Sequence, residues 1–437
     1  MKKVFSAFAL LASASLLFTC KPNLKVPKPS SGDADFSRLV AIGGDFLAGY
    51  QDGALYMNGQ QYSLPGLLAK NMALAGGGSF AQPLMPDNSG LGLNPKPWES
   101  RFETASTLGF KSDCKGVSSL FPLKNNFNAG GIYLQHQSGN FQNMSVPLAK
   151  IAHYNKPALG TSGANPFYAR FASNPGVSTM LSDAKSQQPT FFILWAGMED
   201  VYEYVSNGAY GPLPISSTNF GLYLDSVISV FGIKGAIANI PDFASLPFFT
   251  TVPWNGLDIT KNQADSINLS FPGWFNMVQG KNGFVIADSH AALGYRKMVE
   301  GEYVLISAPL DSMKCGGMGS TTGDIPSQYI LDTTDVRIVN KIISDYNNVI
   351  SLKAQKYNLA LVDMNSYFKK VQAGIKWDGV DFNAAFVSGG FFSLDGYHPN
   401  QKGYSLLANE FVRAINAKYN STIPWVNCPE CSGIKFP

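Results

Sequence analysis

Four short apolar runs, rich in β-branched and aromatic residues, alternate with segments of helical periodicity along this chain. Runs that are apolar at nearly every position fit strands covered on both faces, as in a parallel sheet between helices. The runs lie at residues 39–42, 190–195, 235–240 and 359–362. Apolar spacings of three and four residues predict helices at residues 64–75, 336–357 and 402–419. We therefore expect an α/β domain built on a parallel sheet.

Much of the chain lies outside this pattern, in stretches rich in Gly, Ser, Pro and aromatic residues such as 206–217 and 243–282. Such stretches predict loops and insertions. We interpret the length as one domain with long insertions rather than as two domains. The predicted bounds are 35–420 for the domain, about 86–125 and 202–330 for the insertions, and 421–437 for a C-terminal tail.

The N-terminus has the features of a bacterial export signal. Lys2 and Lys3 precede an apolar run over residues 5–18, which is too short to span a bilayer comfortably. The run ends at Thr19-Cys20, a pattern similar to a lipobox, in which the cysteine is acylated and becomes the mature N-terminus. We expect a signal peptide over residues 1–19, and a lipidated Cys20 at the head of a flexible tether over residues 20–34. The alternative is an ordinary signal peptide with a chance cysteine.

These features predict an outer-membrane lipoprotein of the cell envelope, attached to the membrane by its N-terminal lipid. No acidic cluster follows Cys20, which favours the periplasmic face over the cell surface. The net charge is only +3 and charged residues make up 14% of the chain. Because nucleic-acid binding needs a clustered basic face, we expect no nucleic-acid partner, and no motif calls for a cofactor.

Four further cysteines are expected to form disulfides, because the envelope is oxidising. Cys428 and Cys431 could close a small loop, which would leave Cys114 and Cys315 as the other pair. A redox or metal role for the Cys-x-x-Cys is less favoured, because it stands in a terminal tail without a second ligand pair nearby.

Polar turns follow the predicted strands, and in open α/β sheets the ligand site lies beyond the carboxyl ends of the strands. Gly-Gly-Asp-Phe-Leu follows the first strand at residues 43–47, and Ala-Gly-Met-Glu-Asp follows the second at 196–200. Asn-Ala-Gly-Gly lies between them at 128–131, and Asp-Gly-Tyr-His-Pro stands at 395–399 before the last helix.

Together these turns resemble the conserved blocks of the SGNH (GDSL-type) hydrolase family, and residues 236–242 and 309–312 are similar to segments of its lipoprotein members with long insertions. The resemblance implies a flavodoxin-like three-layer sandwich. Members hydrolyse esters or remove acyl groups with a serine, a histidine and an aspartate, and a glycine and an asparagine join the serine amide in an oxyanion hole. Carried over by position, His398 is the base, Asp395 orients it, and Gly130 or Gly131 is an oxyanion donor.

Two positions depart from the family pattern. Asp45 stands where the nucleophilic serine belongs, and Glu199 stands where the oxyanion asparagine belongs. An oxyanion hole must offer donors where negative charge develops, whereas an ionised glutamate offers only acceptors. Loss of one donor costs about 3 kcal/mol of transition-state stabilisation, so serine-type acyl transfer is not expected.

Three interpretations of the site follow. In the first, which we favour, Asp45 pairs with protonated His398, catalysis is lost, and the fold serves binding or assembly in the envelope. In the second, Asp45 is a carboxylate nucleophile and His398 a base for water, in an esterase acting on acylated carbohydrate or lipid. In the third, Asp45, Glu199 and His398 hold a divalent cation.

The ligand and the partner are open at this stage. Aromatic residues in and near the insertions either pack internal surfaces or bind sugar, lipid or a protein; they are Tyr202, Tyr204, Tyr210, Trp254 and Trp274. An accessory role beside an outer-membrane protein, such as a channel, is a further hypothesis.

Overall fold

A computed structural model of the chain describes residues 28–93, 102–127, 131–161 and 163–437. Its centre is a parallel sheet in the order β1-β2-β3-β4, with Ala41 opposite Ile193 and Leu194 opposite Ile237. The strands are β1 (Leu39–Gly43), β2 (Phe191–Trp195), β3 (Gly235–Ala238) and β4 (Ala360–Val362). Every residue of β1, β2 and β3 is buried, as expected for a sheet covered on both faces. All four predicted strands are confirmed.

An additional extended segment lies along the free edge of β1. The amide of Met144 donates to the carbonyl of Ala41 at 2.8 Å, and the amide of Val146 donates to the carbonyl of Gly43 at 3.0 Å. Asn143 forms a parallel bridge with Ala41. Counting this segment, the strand order is that of flavodoxin-like folds, as the family resemblance implied.

Helices cover both faces of the sheet. The main ones are α1 (Asp45–Ala48), α2 (Leu64–Ala73), α3 (Met198–Val205), α4 (Ser217–Phe231), α5 (Thr333–Lys356) and α6 (Gln401–Tyr419). Helix α2 packs against α6 and α4 against α5, while α5 and α6 both contact β3 and β4. The three predicted helices are thus confirmed. Helix α5 begins earlier than predicted because the Asp332 side chain accepts from the amides of residues 334 and 335.

The insertions hold short elements of their own. The helices among these and other peripheral elements are Met57–Gln61, Pro166–Ala169, Met180–Ser186, Pro247–Thr250, Lys261–Ser270, Leu310–Cys315 and Met364–Ala373, with 3-10 turns at Gly131–Tyr133, Ile151–His153, Pro157–Gly160, Phe243–Ser245, Ser327–Tyr329 and Cys428–Glu430. The peripheral strands are Gly92–Leu93, Phe102–Glu103, Thr107–Ser112, Ser118–Leu123, Asn126–Phe127, Leu257–Ile259, Gly280–Asn282, Val285–Ala287, Tyr295–Lys297, Tyr303–Val304, Ile330–Leu331, Ile375–Trp377 and Val380–Phe382.

The prediction of loops over residues 243–282 is therefore wrong in part. Helix Lys261–Ser270 and the antiparallel pair Leu257–Ile259 with Gly280–Asn282 lie inside that range. They enclose a small apolar cluster that includes Ile259, Ala264 and Phe275. Strands of three residues are too short to show alternation in the sequence, which is why the pattern missed them.

One predicted disulfide is present and the other is not. Cys114 is bonded to Cys315, which joins the hairpin Thr107–Leu123 to the helix Leu310–Cys315. Cys428 and Cys431 are free and buried, so the expected small loop is not closed by a bond. Their segment forms a 3-10 turn in which the Cys431 amide donates to the Cys428 carbonyl at 3.0 Å. Cys20 lies outside the described residues.

No helix within the described ranges has both the length and the apolar character needed to cross a membrane.

Candidate active site

Asp45 begins helix α1 at the carboxyl end of β1 and is buried. Its Oδ1 atom accepts a hydrogen bond of 2.7 Å from the amide of Leu148. Gly44 precedes it, and a Cβ at that position would lie 1.8 Å from Oε1 of Glu199. Only glycine leaves room there, so the Gly-Gly-Asp turn brings the Asp45 backbone directly against the Glu199 carboxyl.

Asp395 and His398 lie on the loop that leads into helix α6. The imidazole Nδ1 and the Asp395 Oδ2 are 2.9 Å apart. Asp395 Oδ1 accepts from the amides of Tyr397 and His398 at 2.9 and 2.8 Å, and Oδ2 also accepts from the amide of Gly53 at 2.9 Å. Four donors thus fix the orientation of this carboxylate, which in turn fixes the imidazole ring.

Asp45 and His398 meet across the site. The Nε2 atom of His398 is 3.5 Å from Oδ2 of Asp45, within ion-pair range but longer than an ordinary hydrogen bond. Nε2 is buried without a hydrogen-bond partner among the described residues. The imidazole therefore lies between two carboxylates, one bonded closely at Nδ1 and one held at a distance from Nε2.

This arrangement favours the protonated imidazole. Burial lowers the pKa of His398, but the Asp395 and Asp45 carboxylates outweigh burial and raise that pKa to about 10. Burial likewise acts to raise the pKa of Asp395, but protonated His398 and the two backbone amides hold it at about 2. His398 is therefore a cation at neutral pH and has no free lone pair with which to accept a proton.

Glu199 lies in the first turn of α3, where Gly197 makes the left-handed turn from β2 with a φ of 98°. Its Oε1 accepts the amide hydrogen of Asp45 at 2.7 Å, and its buried Oε2 has no hydrogen-bond partner in the described part of the chain. Burial, and next the Asp45 carboxylate, raise the pKa of Glu199 well above its ordinary value of 4.5. The site therefore favours the neutral, protonated form of Glu199 over the ionised form that was assumed from the sequence.

The structure does not bring the predicted glycine donor to this site. Gly130 lies outside the described residues, and Gly131 is exposed in the 3-10 turn Gly131–Tyr133, away from the cavity at Asp45. The amide that meets Asp45 belongs to Leu148, which has a φ of 65°. Positive φ is unusual for leucine, and this strained backbone points the amide at Asp45. Nothing about a leucine in the sequence indicates that its amide would face the site.

A cavity of about 680 Å³ opens above these side chains. Asp45, Asp395 and His398 lie at its polar end. Most of its wall is apolar and comes from the hairpin, the insertions and the loop before α6; these residues are Leu93, Leu120, Phe121, Pro122, Leu148, Tyr202, Phe248, Ile306, Leu310, Phe386, Val387 and Leu394. An apolar wall with a few convergent polar groups is the usual form of a small-molecule site. Of the aromatic residues predicted to pack or bind, Tyr202 is the one that lines this cavity.

Comparison with known proteins identifies the family. The sequence pattern of GDSL-like lipase/acylhydrolase proteins matches residues 123–411, well over half of the chain. The chain belongs to this family. The match includes Glu199, Asp395 and His398 but begins after Asp45, so the place of Asp45 rests on its position after β1 and its 3.5 Å approach to His398.

Among solved structures, the chain is similar to LAE5, an alpha/beta hydrolase enzyme from the metagenome of Lake Arreo, Spain. The identity is 11% and the TM-score 0.35, over 88% of this chain and 97% of that chain. No curated protein matches the chain.

In a GDSL-like acylhydrolase, the amide at the nucleophile position and a second backbone amide are expected to face the substrate oxyanion. Here the amide of Asp45 donates to Glu199, and the amide of Leu148, which faces the same position, donates to the Asp45 side chain. Both donors are therefore occupied by carboxyl groups of the chain itself.

The metal-binding interpretation of the site loses support, because no group of three or more His, Cys, Asp or Glu side chains in the described ranges is arranged to hold a metal ion.

Replacement of Glu199 by glutamine, which resembles the neutral acid in shape, is expected to stabilise the protein increasingly as pH rises. The folded state holds a proton on Glu199 that the unfolded state releases above about pH 4.5. Stability due to that proton is present below this pH and is lost as pH rises, by at most about 1.4 kcal/mol per pH unit. Urea denaturation from pH 5 to 8 should show that the free energy of unfolding of Glu199→Gln increases by at least ~1 kcal/mol relative to that of the native chain.

The matched control is Glu203→Gln, because Glu203 lies on the same helix with its side chain 72% exposed in an ion pair with Lys150. The free energy of unfolding of that variant should change with pH in parallel with that of the native chain. If the free energy of unfolding of Glu199→Gln also changes in parallel, Glu199 is ionised in the folded state and the assignment fails.

Proposed function

We propose that this chain is a GDSL-like protein that binds an apolar ligand in its cavity without hydrolysing it, as a binding or accessory component of the cell envelope. The observation that carries the proposal is the occupation of both backbone donors by Asp45 and Glu199. A tetrahedral oxyanion at this position would find the amides of Asp45 and Leu148 already bonded, and each missing donor costs about 10²–10³-fold in rate.

The alternative, an esterase with Asp45 as nucleophile, is less well supported. Attack by the Asp45 carboxylate on an ester would expel the alcohol and form an anhydride through an oxyanion, and the two amides nearest Asp45 are already bonded to carboxyl groups. Water would then need a base, and His398, with its pKa raised to about 10 by the flanking carboxylates despite burial, is protonated. Neither step has the group that it requires.

Hydrolysis assays on the purified chain test the proposal. We expect p-nitrophenyl acetate and p-nitrophenyl octanoate to be released no faster than in buffer, while the octanoate ester is bound. A Ser307→Trp variant should weaken this binding, because Ser307 is an exposed residue at the cavity wall. Ser270→Trp, at an exposed position outside the cavity, is the matched control. Turnover that disappears on His398→Ala would contradict the proposal.

We further propose that Cys20 is acylated and that the chain is held at the outer membrane, on its periplasmic face. The apolar run before Cys20 and the proline-rich segment after it support this placement. Cys20→Ala should move the protein from the membrane to the soluble fraction of the envelope. Protease added to intact cells should leave the native chain uncut, and rapid cleavage would place it on the cell surface.

A further inference from the structure

The polar end of the cavity differs from an oxyanion hole. The amides of Asp45 and Leu148 are already bonded, and the buried Nε2 atom of His398 faces Oδ2 of Asp45, so carboxylate oxygens are the main groups left for a ligand. Oδ1 of Asp45 accepts one hydrogen bond, from Leu148, although a carboxylate oxygen can accept two. Among the described residues, the approach that Oδ2 receives is that of His398 Nε2, at 3.5 Å. The Asp45 carboxylate therefore retains unused acceptor capacity where it lines the cavity.

The charges at this end sum to a negative excess. Two carboxylates, Asp45 and Asp395, flank one imidazolium, His398. Lys124 is the other basic residue on the cavity wall, and its ammonium is already paired with Glu103 at 3.1 Å. A buried uncompensated charge is costly, so a cation arriving in the cavity would be attracted and an anion repelled.

We propose that the ligand is an amphiphile with a cationic, hydrogen-bond-donating head, such as a primary ammonium on an apolar chain, and that its head binds Asp45 at the polar end of the cavity. The inference rests on the proposed binding function and adds the chemical class of the ligand. The apolar chain would lie along the wall formed by the hairpin and the insertion, where Leu120, Phe121 and Leu310 are found. An ester carbonyl or a carboxylate, the groups that a hydrolase of this family must bind, would meet the Asp45 carboxylate, and the nearest side-chain donor, Nε2 of His398, is buried and faces that carboxylate.

A series with one apolar chain and three heads tests the proposal. Decylamine, decanol and decanoate, each below its critical micelle concentration at pH 8, would be titrated into the purified full chain by calorimetry. Because the decyl chain is common to all three, its burial cancels in the comparison. We expect the amine to bind at least about 10-fold more tightly than decanoate, with the alcohol between them, since 10-fold corresponds to only ~1.4 kcal/mol.

Asp45→Asn links the preference to the residue. The variant should lose at least about 10-fold in affinity for decylamine, with little change for decanol. Asp311→Asn is the matched control, because Asp311 is on the helix that contributes Leu310 to the wall and forms an exposed ion pair with Lys111. It should bind all three compounds as the native chain does. Circular dichroism and urea denaturation would establish that both variants are folded before binding is compared.

Each outcome has one meaning. Equal or tighter binding of decanoate, or tightest binding of decanol, overturns the cationic-head proposal while leaving a non-hydrolytic binding function in place. Hydrolysis of the ester substrates overturns the proposed function whatever the order of the heads. Failure of all three compounds to bind native protein overturns the cavity as an amphiphile site.

Discussion

Asp45→Ser combined with Glu199→Asn is expected to convert this chain into an esterase that depends on His398. Asparagine at 199 no longer accepts the amide of residue 45 as a carboxyl does, and it offers a side-chain donor. Serine at 45 supplies a hydroxyl and frees the Leu148 amide, which now binds the Asp45 carboxylate at 2.7 Å. With one carboxylate removed from its side, His398 also loses part of the interaction that keeps it protonated.

The expected gain of the double variant over Asp45→Ser alone is at least about 10²–10³-fold in kcat for p-nitrophenyl acetate, the effect of restoring oxyanion donors. Adding His398→Ala should abolish the gained activity. Asp45→Ser with Glu203→Asn serves as the control, because Glu203 is exposed on the same helix as Glu199. A folded double variant that remains inert would mean that the loss of catalysis lies in the backbone around Leu148 and not in the two substituted side chains.

Asp395→Ala should be the most destabilising single substitution at the site. The carboxylate accepts four hydrogen bonds, from the amides of Gly53, Tyr397 and His398 and from the His398 ring. Alanine would leave those donors buried without acceptors and His398 without its closer counter-charge. We expect a loss of about 3–5 kcal/mol in the free energy of unfolding, measured by urea denaturation at pH 7.

Asp381→Ala is the matched control, because that carboxylate is 74% exposed and pairs only with Lys376 at the surface. It should change the free energy of unfolding by less than about 1 kcal/mol.

The difference in unfolding free energy between the native chain and Asp395→Ala should also depend on pH, and it should decrease in acid. Burial acts to raise the pKa of Asp395 in the folded state, but His398 and the backbone amides hold it near 2, below its ordinary 3.8. The stabilisation by the ionised carboxylate is therefore fully present above pH 3.8 and is lost as the pH falls through about 2. A difference that persists unchanged at low pH would exclude the ionised carboxylate as its source.

The sheet and its main helices could be predicted because their signals are local. Strands buried on both faces are apolar at every position, as at Leu39–Gly43, and the long helices show regular apolar spacing with clear caps. The four polar side chains of the site could be placed for the same reason, since each follows a strand or precedes a helix. Their convergence followed from the topology of a parallel sheet.

The features of the site that could not be predicted depend on contacts between residues far apart in the sequence. Leu148 presents its amide to Asp45 through an unusual positive φ angle, and a leucine in the sequence does not indicate such an angle. The raised pKa of Glu199 results from burial and from Asp45, a neighbour 154 residues away. The free thiols of Cys428 and Cys431 show that spacing alone does not determine whether two cysteines bond.

The disulfide between Cys114 and Cys315 has a consequence for when the cavity becomes complete. It joins segments 201 residues apart, the hairpin that carries Leu120 and Phe121 and the helix that begins at Leu310, and both segments contribute to the cavity wall. In a reduced chain the same segments are linked by the Lys111–Asp311 and Lys314–Asp113 pairs, and such surface pairs contribute only about 0–1 kcal/mol each. The hairpin and the helix would therefore be held together less firmly in a reduced chain, and formation of the disulfide fixes the distance between them. If the proposed ligand binds in this cavity, its affinity is expected to depend on whether the disulfide has formed.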